Sequence, residues 1–315
     1  MRQFRFTLIL LMSCMPLMSA RAHDAMNLDQ LTKAFGWDFS TAQIKTHKVT
    51  DTLHVLFGVG GNIAVSTGAN GVLVVDDQFP QMMPRIQAAI GELGGKGVNF
   101  AINTHWHFDH AEGNLALGPQ GTWLVSQSNS RKMMLNDHII NLVAMQYAQQ
   151  AYPAEALPHI TYDDRMQFHF NGQQIDLLHA GPAHTTGDTA VIFRKDNAVH
   201  LGDVFNNSGY PFIDADNGGD LTGVITFCKA VLAQIDPQTV VIPGHGEVTT
   251  QEKLVAYVAM LETVRGRILK LVEKGKTLEE VVAAKPTADF DSIHGDPAGF
   301  INRSYLSLTR ELGGA

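Results

Sequence analysis

Apolar and polar positions along the chain change period several times. Residues 52–57, 62–66 and 72–75 read as short β-branched strands, separated by Gly-rich turns of which Gly58-Val59-Gly60-Gly61 is the first. After Asp76-Asp77 the period lengthens to that of a helix over 82–93, stopped by Gly94-Gly95, and a strand is expected at 98–103. The polar-apolar stretch 128–150 reads as one helix. Strands are expected again at 166–170, 174–179, 189–193 and 198–201. A helix over 222–235 follows, with Val224, Phe227, Val231 and Ile235 on one stripe, then a strand at 239–242. The remainder reads as helix: 251–274, 278–284 after the Gly275-Lys276-Thr277 break, and 302–312. Two similar sets of strands, each accompanied by helices, predict an α/β domain of two packed sheets with helices outside.

The first residues do not belong to that domain. Arg2 and Arg5 precede an apolar run from Phe6 to Met18, and Ala20-Arg21-Ala22 supplies the small residues a signal peptidase accepts, so residues 1–22 read as a cleaved secretory signal. The run is about 13 residues, short of the roughly 20 of a spanning helix, which argues against a stable membrane span. A lipoprotein reading through Cys14 is disfavoured because the apolar run continues past it. Cleavage removes three Arg and no acid, moving the formal charge from −8 to −11 and the expected location to the periplasm or outside. No basic block exists, which argues against a nucleic-acid partner. Of the two Cys, only Cys228 would remain, inside a helical pattern where it reads as buried filler.

Fourteen His are the informative feature, and four short segments gather the chemistry. Thr104-His105-Trp106-His107-Phe108-Asp109-His110 follows a predicted strand. Residues two apart face the same way in extended backbone, so His105 and His107 can grip one metal while Asp109 and His110 reach a second. His184 lies in the Gly/Pro-bounded loop Gly181-Pro182-Ala183-His184. Asp203, in Leu201-Gly202-Asp203, and His245, in Pro243-Gly244-His245-Gly246, each end a strand. Asp76 or Asp77 is expected behind a ligand His, with a plain strand-ending turn as the alternative. His179, at a strand end, reads as structural, and Met133, Met134 and Met145 as core contacts of the 128–150 helix.

Together these segments resemble the metallo-β-lactamase superfamily over nearly all of the chain from 23 to 248. The resemblance implies a four-layer αββα sandwich with a helical C-terminal extension at 249–315. It also implies His105, His107 and His184 as ligands of one metal, Asp109, His110 and His245 as ligands of another, and Asp203 as the bridge, with Asp109 also orienting the attacking hydroxide. A bridging Asp is similar to glyoxalase II and lactonase members; many secreted β-lactamases carry Cys or another residue there. The donor set suits zinc, two ions per chain, while also accommodating iron or manganese. The implied activity is hydrolysis of a small molecule's ester, lactone, thioester or amide by a metal-bound hydroxide. Three alternatives remain: a β-lactamase, a mononuclear iron oxygenase of the same fold, and a non-catalytic metal-binding protein. After Asp203 no cation occurs until Lys229, so an anionic lactam would be weakly held unless Arg194 or the 128–150 segment supplied a donor.

Overall fold

The computed structural model describes residues 25–313. The expected export signal lies outside the described residues. A seven-stranded sheet runs in the order β1 (Lys45–Lys48), β2 (Leu53–Phe57), β3 (Ile63–Gly68), β4 (Gly71–Val75), β5 (Phe100–Ile102), β6 (Trp123–Gln127) and β9 (Ile160–Tyr162). Its first four strands form an antiparallel meander, and β4, β5, β6 and β9 are parallel. A separate hairpin pairs β7 (His138–Asn141) with β8 (Gln146–Gln149). The second sheet runs β10 (Arg165–Phe170), β11 (Gln173–Leu178), β12 (Ala190–Phe193), β13 (Ala198–His200), β14 (Val240–Ile242) and β15 (Thr249–Thr250), antiparallel except between β13 and β14.

Burial explains the sequence pattern of these strands. In β2, β3, β4, β12 and β13 nearly every residue is buried, because both faces of each sheet are covered. Between the sheets, Leu53, Val55, Leu73 and Ile102 meet Ile175, Leu177, Phe193 and Ile242. On the outer face of the first sheet, Leu56, Val65 and Val74 pack with Leu31 of α1 (Leu28–Phe35) and with Ile86 and Ile90 of α2 (Met83–Glu92). Beyond the sheets come the short helices α3 (Phe108–Ala111), α4 (Asn114–Leu117) and α5 (Ser128–Met134), then α6 (Leu221–Leu232), α7 (Gln251–Val272), α8 (Leu278–Ala283), α9 (Asp291–His294) and α10 (Ala298–Gly313). On the second sheet's outer face Ile192, Val199 and Val241 share a core with Val224 and Phe227 of α6, Leu261 of α7 and Leu308 of α10. The layers are helix, sheet, sheet, helix, as expected, with a C-terminal helical region. Cys228 is fully buried in this last core, as filler. Among the described residues, no helix is long and apolar enough to cross a membrane.

The helix expected over 128–150 is a correction. It stops at Met134, and the chain then forms the β7–β8 hairpin. Within β7 and β8 burial alternates, hiding Ile140, Tyr147 and Gln149, which is the two-residue period of a half-covered ribbon. Met134 is buried, and Met133 and Met145 pack on the same core, so the three methionines are core contacts although they do not share one helix.

Candidate metal centre

The carboxyl ends of β4, β5, β13 and β14 lie at one edge of the sandwich, and the loops leaving them carry the polar side chains. Asp76 follows β4, His105 follows β5, Asp203 follows β13 and His245 follows β14; His184 comes from the loop between β11 and β12. Hydrogen bonds between the two halves hold these loops together. The Asn62 backbone N–H donates to Gly244 O (2.7 Å), its side-chain amide donates to Pro243 O (2.9 Å) and Gly246 O (2.8 Å), and the Thr189 N–H donates to Thr104 O (2.8 Å).

His107 caps the single turn of α3, which projects Asp109 and His110. That turn is clamped from below: Asp77 N–H donates to His110 O and Gly61 N–H to Asp109 O, both at 2.9 Å. Gly61 cannot be replaced without moving the site, since a Cβ there would run into the His110 ring; at Gly244 a Cβ would run into the Asp203 carboxylate. Asp76 adopts a left-handed conformation (φ 64°), uncommon outside Gly but tolerated by Asp, and this turns its carboxylate beneath the site.

Each of four imidazoles is tied by its outward nitrogen. His110 Nδ1 donates to Asp76 Oδ2 (2.8 Å), His107 Nε2 to Asp214 Oδ2 (2.9 Å) and His184 Nδ1 to Phe212 O (2.7 Å). Thr104 Oγ1 donates to Asp76 Oδ2 (2.8 Å), so it accepts from His105 Nδ1 (3.0 Å). These partners fix the ring orientations and turn the other nitrogen of each ring inward. Inward atoms form three groups, each within 4.8 Å: His105, His107 and His184; His105, His110 and Asp203; and Asp109, His110 and His245. Asp203 reaches both sides. Its Oδ2 is 3.8 Å from His184 Nε2, and its Oδ1 is 3.2 Å from His110 Nε2 and 3.4 Å from His245 Nε2.

Electrostatics divide the site in two. Burial, reinforced by neighbouring imidazoles, holds His105 well below the ordinary histidine range, and burial likewise lowers His184. At the other side burial also opposes charge, but Asp203 and Asp109 outweigh it, raising His110 and pushing His245 up to about 10. This anion-rich side draws cations, whether protons or metal.

The residues fit metal ions on their own chemistry. His184 Nε2 and His107 Nδ1 stand 2.9 Å apart, and each ring's far nitrogen is already held, His184 Nδ1 by Phe212 O and His107 Nε2 by Asp214. Buried His105 Nε2 has no hydrogen-bond partner. Unpaired buried acceptors converging on one point are costly unless a cation satisfies them.

Residues 57–245 match the family model described as the metallo-beta-lactamase superfamily. The chain belongs to the metallo-beta-lactamase superfamily. Solved structures share its fold: a metallo-beta-lactamase from Pontibacter korlensis (17% identity, TM-score 0.56, covering 70% of this chain and 99% of that one) and DIM-1 metallo-beta-lactamase (16%, 0.56, 70% and 98%). A double mutant of the sec-alkyl sulfatase PisA1 matches at 14% identity and TM-score 0.63, over 86% of this chain and 51% of that one. The superfamily's fold implies metal ions, and the His/Asp groups above could hold them.

All seven residues expected as ligands lie at this one site, including Asp203 between the two sides. Asp76 is the carboxylate behind His110, whereas the Asp77 side chain is buried beside Asn103 and hydrogen-bonds to none of the histidine rings. His179 has a structural place, its Nδ1 donating to Asp188 O at 2.7 Å. Arg194 is not at the site: it pairs with Asp176 (2.6 Å) and donates to Gln234 O. Thr104, Phe212, Asp214 and Asn62 were not singled out by the sequence reading. Asp214 sits 30 positions beyond His184 in irregular chain, where no periodicity marks it.

Proposed function

We propose that this protein is an exported di-zinc hydrolase that cleaves a carbonyl bond, namely an ester, lactone, thioester or amide. The observation that carries the reading is Asp203, whose two oxygens face two separate imidazole groups. His105, His107 and His184 would hold one ion, Asp109, His110 and His245 the other, with Asp203 between. Two zinc ions bound in this way supply hydroxide at neutral pH and polarise a carbonyl oxygen. The chain's own residues do the positioning. Asp109 lines the cavity over the site and accepts a hydrogen bond from the attacking water, fixing its direction. Asp76, Asp214 and the Phe212 carbonyl hold the imidazoles against rotation, so little reorganisation accompanies reaction. Asn206, also on the cavity wall, offers an uncharged donor to the substrate. A β-lactamase is disfavoured because none of the residues lining that cavity is Lys or Arg.

Elemental analysis of the purified protein should find close to two zinc ions per chain, and His110→Ala should lose about one. Zinc-loaded protein should hydrolyse at least one of a thioester, an acyl lactone and a simple ester, and chelation should abolish this. A chain that takes up one iron tightly and rejects zinc would sink the proposal. Export is tested by N-terminal sequencing of the periplasmic fraction, which should begin at or near His23; retention of Met1 would refute it.

A further inference from the structure

We propose that the substrate is an uncharged ester or lactone whose acyl part carries an aromatic or short aliphatic group, and that the β7–β8 hairpin and the segment after α1 together recognise that group. This rests on the carbonyl-hydrolase reading above. A cavity of about 260 Å³ opens directly over the ligands, with His107, Asp109, Asp203 and His245 at its floor. Its walls come from three distant parts of the chain: Phe35 and Trp37, Ile140 and Leu142, and Phe212. The volume lies below the roughly 300–1,000 Å³ of sites for drug-sized ligands, so it suits one ring or a short acyl chain beside the reacting carbonyl.

The wall is preformed. Trp37 stacks on Phe35 at 4.7 Å and rests edge-on against Phe79 at 5.6 Å, and Phe79 is fully buried. Phe212 lies 6.0 Å from the His107 ring and 5.7 Å from His184, so the apolar surface reaches the ligands themselves. A fixed apolar wall binds without the entropic cost of ordering side chains. The polar groups offer an anion no side-chain partner: no Lys or Arg lines the cavity, and Asn206 is a neutral donor. Phe35 on this wall is 43% exposed, so apolar surface also remains open to solvent there. Such surface beside a cleft marks a place where an apolar group docks.

The test uses zinc-loaded protein and methyl esters, which have no aromatic leaving group to occupy the cavity: methyl acetate, methyl phenylacetate and monomethyl succinate. Methyl phenylacetate should give the highest kcat/KM and the succinate the lowest, each step about tenfold. Trp37→Ala and Leu142→Ala should lower the phenylacetate-to-acetate ratio about tenfold, while Trp123→Ala, at the exposed first position of β6, leaves the ratio unchanged. Benzyl methyl ketone, which cannot be hydrolysed, should quench Trp fluorescence of the wild type and not of Trp37→Phe. Ketone quenching without turnover of any ester or lactone would support the cavity and contradict the hydrolase reading. Ester turnover with no preference for phenylacetate, unchanged ratios in both wall variants, or no quenching would each overturn the cavity assignment.

Discussion

At the scale of single residues, the candidate ligands were legible and their supports were not. His105, His107, Asp109 and His110 fall within six positions, and Asp203 and His245 stand beside glycines at predicted strand ends, so each carries a local mark. Asp76 and Asp77 look alike in sequence; the left-handed backbone at Asp76 decides between them, and that follows from the turn rather than from residue type. Asn62 had no mark because its partners lie more than 180 positions away. Asn62→Ala leaves the buried Pro243 carbonyl and the part-buried Gly246 carbonyl without this donor, a loss of about 1–3 kcal/mol. Urea unfolding should show it, together with weaker retention of metal by the His245 side; a variant as stable as the wild type would contradict the bridging role. His200 supports the same junction. Its Nε2 donates to Asn62 O (3.0 Å) and its Nδ1 accepts from Gly202 N–H (3.1 Å), so the neutral ring satisfies both partners. Burial lowers its pKa, so its contribution to stability is present above the unfolded value of about 6.5 and is lost as pH falls through the lower folded value. Long-range nitrogen–proton NMR should show this ring neutral from pH 8 to 6, whereas a midpoint near 6.5 would contradict it.

At the scale of elements, strands and long helices followed from periodicity to within a few residues, and the failures have physical reasons. The strands β6 and β9 were not read from the sequence, and β6 is placed by its parallel neighbours β5 and β9. The 128–150 stretch starts as a helix, but Ile139-Ile140 favour a strand, and packing of Ile140 and Tyr147 on the first sheet's outer core settles the rest. The hairpin is then pinned to the C-terminal helix. Asn141 Nδ2 donates to Asp216 Oδ2 (2.9 Å), Asp216 pairs with buried Arg303 of α10, and Asn217 Nδ2 donates both to Ile139 O and to Asp214 Oδ1 (each 3.0 Å). One turn therefore joins α10, the hairpin and the carboxylate behind His107. Arg303→Met should cost about 1–2 kcal/mol, since Asp216 keeps some exposure, and should speed amide exchange across 138–149. Unchanged exchange in that segment would show that α10 does not hold the hairpin.

At the scale of the whole molecule, the αββα layering followed from two sets of strands with helices between and after them, while the cavity did not. Its walls meet only after folding, bringing residues 35–37, 140–142 and 212 to one place. Net charge acts at this scale too. Removal of the proposed signal would leave a formal charge of −11, which two zinc ions offset only in part, and no Lys or Arg lines the cavity, so long-range repulsion opposes anionic substrates. Cephalosporin turnover should be weak, should rise with ionic strength as repulsion is screened, and should improve about tenfold in KM in Asn206→Lys. Efficient turnover at low salt, insensitive to that substitution, would mean that another donor reaches the site. The account as a whole depends on two ions sharing Asp203. Anomalous diffraction at the zinc edge, on crystals of zinc-loaded protein, should show two peaks about 3.5–4 Å apart, one among His105, His107 and His184, the other among Asp109, His110 and His245, both beside Asp203. A single peak, or a pair that leaves Asp203 uncoordinated, would contradict it.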